Sequence, residues 1–405
     1  MSFSSSLRGR LRLLILLPPL LLLNGCTGLD ALSNLTSGLG DLFADDDTAD
    51  PPAVLPEEFK GEVQLELVWK DVAGKGTDQK YLKLQPAVAN GRLYVADIKG
   101  LLQARQLNDG DVVWENNTEF PFASGPVVNG DLLIMGTSHG EVVGFDAHSG
   151  KMRWMREVSS EVLATPVVAG DKVIVRTTDG KVIAVRLQDG GIVWSAEHNV
   201  PALSIRGAGA PLVVDDKVVA GAANGKLMAW QLSDGKALWE STVVIPSGRS
   251  EVERLVDLDA DPIEARNTIF ICSYQNGSAA VTESDGEVLW RNESISSHTG
   301  ISADWRYLYI TDSHSEVWQV DQRTGASLWS QKELHNRQLT AVTVYGGYAV
   351  AGDFEGYVHW LSLSDGRLLA RIKIGKAAIA AKPVEADGVV YVFAKDGGIA
   401  AIRAK

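Results

Sequence analysis

The sequence predicts an all-β protein: an eight-bladed β-propeller with four-stranded blades, whose ring is closed by the N- and C-terminal strands. Three observations predict this fold: a Gly-x-x-x-Trp element that recurs about every 40 residues, a second series of turn glycines in the same period, and an incomplete last repeat. Repeats of about 40–45 residues with several short strands each are typical of propeller blades.

The first repeated element places a tryptophan four residues after a turn glycine. The spacings from one glycine to the next are 40, 40, 45, 51, 39 and 41 residues, and the seventh copy has Ala370 where tryptophan is expected. We expect these tryptophans to pack between neighbouring blades, because one such ring buries about 150–250 Å². The six complete copies are Gly110/Trp114, Gly150/Trp154, Gly190/Trp194, Gly235/Trp239, Gly286/Trp290 and Gly325/Trp329.

Hairpin glycines mark the same period a second time. Glycine supplies the positive φ that tight hairpins need, and five of these glycines follow a proline by 14 residues. Runs rich in β-branched residues lie on both sides of each glycine, without helical periodicity. The hairpin glycines are Gly100, Gly140, Gly180, Gly225, Gly277, Gly356 and Gly397.

The last repeat, from Pro383 to Lys405, lacks a tryptophan-bearing strand. A suitable strand is present near the other end of the chain, in residues 62–69, where Trp69 takes the eighth tryptophan position. We therefore predict that the strand around Leu65–Val68 pairs with the strands near Ile399–Ile402, which removes the open sheet edge.

Residues 1–25 have the features of a signal peptide. Three arginines precede an apolar stretch, residues 13–23, that is too short to span a bilayer permanently. The following Leu23-Asn24-Gly25-Cys26 resembles the lipobox of bacterial lipoproteins, which implies cleavage before Cys26 and its triacylation; a plain signal peptide is the alternative. Thr27, rather than aspartate, follows the cysteine, and the resemblance then implies retention in the outer membrane, with the propeller in the periplasm.

Residues 26–60 are predicted to form a flexible acidic tether, and residues 61–405 the propeller. The run Asp45-Asp46-Asp47 is interpreted as solvated linker, with a weak calcium site as the alternative. The chain has a formal net charge of −13 and loses three further positive charges with the signal peptide, which argues against nucleic acid as a partner.

Two segments, Phe145–Trp154 and Val320–Trp329, resemble the tryptophan-docking motif of quinoprotein propellers. That superfamily includes quinone-dependent dehydrogenases, which carry adjacent cysteines and a calcium site. Here the cysteines are Cys26 and Cys272, far apart, and the histidines show no metal-ligand spacing. We therefore predict a protein without cofactor, metal site or enzymatic activity; the alternative is a periplasmic propeller that binds a quinone or another small ligand.

Three further segments resemble the BamB family, the lipoprotein subunits of the outer-membrane β-barrel assembly machine. They are residues 203–207, 251–259 and 352–360. The resemblance implies an accessory scaffold that binds the POTRA domains of the central protein BamA and helps to deliver nascent outer-membrane proteins, which are themselves candidate partners. It implies only indirect contact with the other lipoproteins of the machine.

The family's partner-binding residues correspond to Leu203, Ile205, Arg206, Asp257 and Asp259. The lengths of the connectors between blades support this site independently. The connectors after Trp194 and Trp239 are longer than most of the others, as surface interaction loops often are, although the connector after Trp69 is as long as the first of them. An intramolecular ion pair between Arg206 and Asp257 is the alternative interpretation of those two residues.

Overall fold

All regular secondary structure in the described part of the chain is β-strand. The computed structural model describes residues 50–198, 200–201, 209–247, 249–250 and 254–405, and residues 51–405 form one unit. The strands, β1 to β33, form eight sheets, so the eight-bladed propeller is confirmed. The described residues contain no helix long and apolar enough to cross a membrane.

Each blade follows the chain from an inner strand to an outer strand. Blade 1 comprises β3 (Ala87–Ala89), β4 (Arg92–Ala96), β5 (Leu101–Gln106) and β6 (Val112–Asn117). Blade 2 comprises β7 (Phe122–Asn129), β8 (Leu132–Thr137), β9 (Glu141–Asp146) and β10 (Met152–Glu157), with the short β2 (Lys83–Leu84) added in parallel to β7. Blade 3 comprises β11 (Val167–Ala169), β12 (Lys172–Arg176), β13 (Lys181–Arg186) and β14 (Ile192–Glu197). Blade 4 comprises β15 (Leu212–Val214), β16 (Lys217–Gly221), β17 (Lys226–Gln231) and β18 (Ala237–Thr242).

The second half of the ring repeats this order. Blade 5 comprises β19 (Ile263–Ala265), β20 (Thr268–Cys272), β21 (Ser278–Thr282) and β22 (Val288–Asn292). Blade 6 comprises β23 (Ile301–Ala303), β24 (Tyr307–Thr311), β25 (Val317–Asp321) and β26 (Ser327–Gln331). Blade 7 comprises β27 (Thr343–Tyr345), β28 (Tyr348–Gly352), β29 (Tyr357–Ser362) and β30 (Leu368–Lys373). Blade 8 comprises β31 (Val384–Ala386), β32 (Val389–Phe393), β33 (Gly398–Ala404) and, as its outer strand, β1 (Leu65–Val72).

The two middle strands of each blade carry most of the core. In blade 3, the middle strands β12 and β13 are almost continuously buried, whereas the outer strand β14 alternates between exposed and buried residues. A strand that is covered on both faces by neighbouring blades needs apolar residues on both faces, while an outer strand borders solvent. This difference explains the apolar runs seen in the sequence.

The recurring tryptophans pack between blades, as predicted. Trp154 of blade 2 lies on Gly190 of blade 3, where an added β-carbon would be 2.6 Å from Trp154 Cε3. Trp154 Nε1 donates a hydrogen bond of 3.0 Å to the carbonyl of Leu187 in the same turn. The ring contact recurs for Trp69, Trp114, Trp194, Trp239, Trp290 and Trp329, and all of these except Trp239 also donate from Nε1 to a backbone carbonyl.

The ring closes between the two ends of the propeller sequence, as predicted. Strand β1 pairs antiparallel with β33, with Leu65 opposite Ala404 and Asp71 opposite Ile399. The last blade is thereby completed by a strand from the opposite end of the propeller sequence. No hairpin turn connects these two strands, so the closure depends on their backbone pairing and side-chain packing.

The absence of tryptophan at position 370 has a structural reason. Residues 61–63 lie against Leu369 and Ala370 on their way to β1, and the N–H of Glu62 donates to the carbonyl of Leu369 at 2.7 Å. An added β-carbon on Gly61 would come within 2.8 Å of the same carbonyl oxygen. The entering chain therefore packs directly against blade 7 at this position, and the small Ala370 leaves room for it.

Candidate docking face at the channel mouth

One face of the ring carries all the connectors between blades. Because successive strands alternate in direction, outer-to-inner connectors emerge on the same face as the hairpins between the second and third strands. We call this side the connector face. Counted in the sequence from the residue after each outer-strand tryptophan, the three longest connectors are residues 70–85, 195–210 and 240–261, of which 199, 202–208, 248 and 251–253 lie outside the described part of the chain.

The end of the 240–261 connector lies between the hairpins of blades 4 and 5. Val256 forms a parallel bridge with Asn224, and the N–H of Leu258 donates to the carbonyl of Ala222 at 3.4 Å. On the other side, the N–H of Tyr274 donates to the carbonyl of Asp257 at 3.0 Å. The connector is therefore hydrogen-bonded into the propeller over these residues.

Asp257 and Asp259 are buried, with 1% and 6% of their surface exposed, so the expectation that they lie on exposed loops is wrong. Their burial follows from the pairing of this segment with both neighbouring hairpins, which brings Leu258 to 0% exposure as well. Their role in partner binding stays a prediction. Leu203, Ile205 and Arg206 lie outside the described residues, as does the predicted lipidation site Cys26, so the Arg206–Asp257 ion pair also stays a prediction.

Asp261, which was not among the predicted site residues, joins all three long connectors. Its Oδ1 lies 2.6 Å from Lys83 Nζ and accepts a 2.6 Å hydrogen bond from the N–H of Ala210. Lys83 Nζ also donates to the carbonyl of Asp259 at 3.1 Å. The period-2 pattern Asp257-Leu258-Asp259-Ala260-Asp261 is the sequence signal that marks this residue.

A buried arginine faces this acidic segment. Arg176, at the end of β12, is 5% exposed and donates from one terminal nitrogen to the carbonyl of Gly209 at 3.2 Å. Burial lowers its pKa, although the charges of Asp259, Asp257 and Asp261 oppose that change. Conversely, burial raises the pKa of Asp259, although Arg176 and Lys83 favour its ionised form. The positive charges of Arg176 and Lys83 thus compensate the negative charges of residues 257–261.

His198 is a second buried polar residue of the 195–210 connector. It is 8% exposed, and its backbone N–H donates to the carbonyl of Gly180 at 3.0 Å. Burial, together with the nearby positive charge of Arg176, lowers the pKa of His198 to about 4. This histidine is therefore neutral at neutral pH.

The central channel opens beside these connectors as a cavity of about 440 Å³. Most of its lining residues belong to connectors and hairpins, among them Tyr81, His298 and Lys382, and Lys382 Nζ donates to Ser302 Oγ at 2.6 Å. Within the described ranges, no group of three or more histidine, cysteine or acidic side chains is placed to hold a metal ion. Cys272 is fully buried, which raises the pKa of its thiol.

Comparison with known proteins gives a consistent result. Residues 99–331 and 320–405 match the profile of a family described as outer membrane protein assembly factor BamB. The chain is 37% identical to outer membrane protein assembly factor BamB of Xanthomonas campestris pv. campestris over 375 residues, which cover 89% of this chain and 92% of that protein. It is 40% identical to the BamB protein of Pseudomonas aeruginosa over 351 residues, covering 87% and 92%. The crystal structure of BamB from Moraxella catarrhalis superposes with a TM-score of 0.77 at 26% identity, covering 84% of this chain and all of that one.

Proposed function

Because the chain belongs to the family of outer membrane protein assembly factor BamB, we propose that it is a non-enzymatic scaffold lipoprotein that binds the POTRA domains of BamA. Its family role is the assembly of outer membrane proteins, in association with the outer membrane. In the proposed role, the propeller presents a docking surface to BamA and thereby assists the folding and insertion of β-barrel proteins.

The junction at Asp261 is the observation that supports this docking site best. Asp261 accepts a hydrogen bond from Ala210, which connects the ends of the 195–210 and 240–261 connectors. It also forms an ion pair with Lys83 of a third connector. Leu203, Ile205 and Arg206 follow each other closely in the sequence shortly before Ala210. Apolar anchors beside an arginine are typical of binding hot spots, and a rigid base lowers the entropy that docking costs.

Asp257 and Asp259 have a different part in this proposal. Because both are buried, they act by shaping and holding the connector rather than by offering an open contact surface. Asp257→Ala is therefore expected to lower both the melting temperature and the affinity for BamA. Arg206→Ala and Leu203→Ala are expected to lower the affinity alone, since neither residue belongs to the buried acidic segment.

Attachment to the membrane is the second component of the proposal. Triacylation of Cys26 holds the protein in the outer membrane, with the propeller in the periplasm. Each buried CH₂ group stabilises such attachment by roughly 0.8 kcal/mol, and more than one acyl chain is needed for stable anchoring. A triacylated cysteine meets that requirement.

The test is co-purification of the full-length tagged protein from detergent-solubilised envelopes, with the partners identified by mass spectrometry. BamA is expected among the partners, and purified BamA is expected to bind Arg206→Ala or Leu203→Ala roughly tenfold or more weakly, since about 1.4 kcal/mol corresponds to a factor of ten. Arg323→Ala is a matched control, because Arg323 is exposed in a turn on the opposite face of the ring.

Wild-type affinity in well-folded Arg206→Ala and Leu203→Ala variants would place the contact elsewhere on the propeller. Weaker binding of the Arg323→Ala control would contradict the assignment of the docking site to the connector face. Circular dichroism and the melting temperature show whether each variant is folded.

Binding of a quinone or another small ligand is the second candidate function, and the cavity of about 440 Å³ in the channel supports it. A bound quinone would absorb at wavelengths beyond the tryptophan band. The spectrum is recorded on exported protein that was purified without added ligand. A featureless spectrum in that region would exclude a bound quinone.

A further inference from the structure

The chain segment just before the propeller is attached to the ring. Residues 53–59, which we call the strap, run along blade 7 and the connector that precedes it. The N–H of Ala53 donates to the carbonyl of His335 at 2.9 Å, and the carbonyl of Ala53 accepts a 2.8 Å hydrogen bond from Arg337. Further along, Arg371 donates to the carbonyl of Pro56, and its guanidinium lies 5.2 Å from the centre of the Phe59 ring.

One face of the strap is directed at the propeller and the other at solvent. Leu55 packs against the apolar cluster that includes Tyr309 and Leu334, whereas the adjacent Val54 is 93% exposed. Alternation of this kind is typical of an extended segment lying on a surface. It indicates a specific seat for this part of the chain.

The sequence segment 352–360 positions Arg337, which contacts the strap directly. Asp353, which is completely buried, accepts a 2.8 Å hydrogen bond from Arg337 Nε and lies 2.9 Å from His359 Nε2. Glu355 pairs with another nitrogen of Arg337. These contacts hold the arginine in place, with a remaining terminal nitrogen directed at the carbonyl of Ala53.

A buried arginine is stable only if acceptors compensate for its lost hydration. The side chain of Arg337 is 3% exposed, and the acceptors of its hydrogen bonds are Asp353, Glu355 and the strap carbonyl of Ala53. The strap therefore completes the hydrogen bonding of Arg337. Segment 352–360 therefore has a second role besides forming part of blade 7: it positions Arg337 for its contact with the strap.

The seat lies on the connector face. Arg337 belongs to the connector between blades 6 and 7, and Asp353 begins the hairpin between the second and third strands of blade 7. From there the chain passes Leu369 near the opposite end of β30 and enters β1. The chain thus joins the propeller on the face that carries the candidate docking site.

We propose that segment 352–360, with Arg337 and Arg371, is a dock for the membrane tether. The dock sets the tether's exit on the connector face and leaves residues 27–52 between the docked strap and Cys26. This inference rests on the proposed lipid attachment at Cys26. At about 3.3–3.6 Å per residue, an undocked tether to residue 60 reaches about 115 Å and the docked one only about 90 Å.

The test uses the full-length lipoprotein in detergent micelles and two neighbouring substitutions. Leu55→Asp places a charge in the apolar seat, whereas Val54→Asp makes the same chemical change on the exposed side. In wild type and Val54→Asp, the amide of Ala53 is expected to exchange slowly with deuterium, and a glutamate-specific protease is expected to cut slowly after Glu57 and Glu58. Both rates are expected to rise at least tenfold in Leu55→Asp, with the melting temperature of the ring nearly unchanged.

A third variant tests the role of the dock itself. Glu355→Gln removes one charged partner of Arg337, and because Glu355 is 45% exposed in its side chain, the change leaves the blade core intact. Faster exchange at Ala53 is expected in this variant too. Rapid exchange and cleavage in the wild type, or equal rates in Leu55→Asp and Val54→Asp, would overturn the docked strap.

The outcome for the strap is separable from that for the proposed function. Exchange and cleavage rates require neither a lipid nor BamA, so they report the strap alone. The mass of the N-terminal peptide reports lipidation: an unmodified Cys26 would remove the tether role and leave the docked segment as a structural element of the ring.

Discussion

Lys83 and Asp261 form an ion pair across the mouth of the central channel, with Nζ and Oδ1 separated by 2.6 Å. Lys83 belongs to the strand added to blade 2, and Asp261 directly precedes blade 5, so blades 3 and 4 lie between them in the ring. The side chain of Lys83 is 20% exposed and that of Asp261 is 47% exposed, so water reaches the carboxylate more readily than the ammonium group. The contact links connectors from distant parts of the ring into one surface.

Asp261→Ala is expected to lower the free energy of unfolding by about 2 kcal/mol, because Lys83 and the N–H of Ala210 both lose their acceptor. Amide hydrogen exchange in residues 209–210 and 254–261 is expected to accelerate. Glu240→Ala is the control: its pair with Lys226 is well exposed, so its removal is expected to cost less than about 0.5 kcal/mol. Equal losses in the two variants would contradict a special role for the channel-mouth pair.

The contact between Trp154 and Gly190 makes a second prediction. Gly190→Ala brings a β-carbon to 2.6 Å from the tryptophan ring, at a φ of +68°. Gly170→Ala, at a φ of +57° with no atom within 4 Å of the added carbon, imposes backbone strain alone. We expect about 1–2 kcal/mol of destabilisation at Gly170 and about 1–3 kcal/mol more at Gly190. Urea unfolding measures the loss in free energy of unfolding for each variant. Equal losses would show that the contact between the tryptophan and the next blade contributes little to stability.

Ring closure makes a third prediction. Deletion of residues 61–70 removes most of β1 and leaves β33 as an open edge. The melting temperature is expected to fall by about 10 °C or more, because the loss of a strand and its packing costs several kcal/mol. Deletion of residues 31–40, a segment of equal length outside the described part of the chain, is the control. Cooperative melting of the first variant at the wild-type temperature would refute closure by these strands.

His198 makes the fourth prediction, which concerns pH. Its pKa is lowered from 6.5 to about 4 in the folded protein, so between these values the unfolded chain binds more protons. The contribution of His198 to the free energy of unfolding is therefore fully present above pH 6.5 and is lost as the pH falls toward 4. At pH 5 the loss from this group is about 2 kcal/mol. His198→Gln is expected to lose correspondingly less stability between pH 7 and pH 5. Parallel pH profiles for the two proteins, measured by urea unfolding, would contradict this assignment.

The predicted processing of the N-terminus is tested by mass spectrometry. The mature chain is expected to begin at Cys26, with a diacylglyceryl group on sulfur and a third acyl chain on the amino group. Cys26→Ser is expected to yield soluble or unprocessed protein with an unchanged melting temperature, since the propeller unit starts only at Pro51. A different N-terminus, or an unmodified Cys26, would refute lipidation.

Much of the fold was predictable because each repeat carries the same short sequence patterns. A hairpin needs glycine at a positive φ and a blade contact needs a large ring, so both appear at fixed spacing in nearly every repeat. Closure was also predictable, because a missing strand at one end matched a spare strand at the other. Even Ala370, the exception among the tryptophans, was visible in sequence, although its reason was not.

The burial of Asp257 and Asp259 could not be predicted from such sequence patterns. Their connector is long and polar, which is typical of an exposed loop, and its pairing with two hairpins depends on backbone hydrogen bonds that no side-chain pattern records. The same holds for Ala53, whose seat is formed by residues far later in the chain.

By itself, the sequence determined the number of blades and the strand that closes the ring, because both depend on short-range patterns repeated along the chain, and it indicated the family through three segments that each occur once. Tertiary structure alone decided that Lys83 meets Asp261, that Arg176 faces the acidic connector and that Arg337 holds the strap. These pairs are distant in sequence and are brought together by the curvature of the ring. For the buried Arg176 and Arg337, burial removes competing water and makes each charge dependent on the partners that the ring supplies.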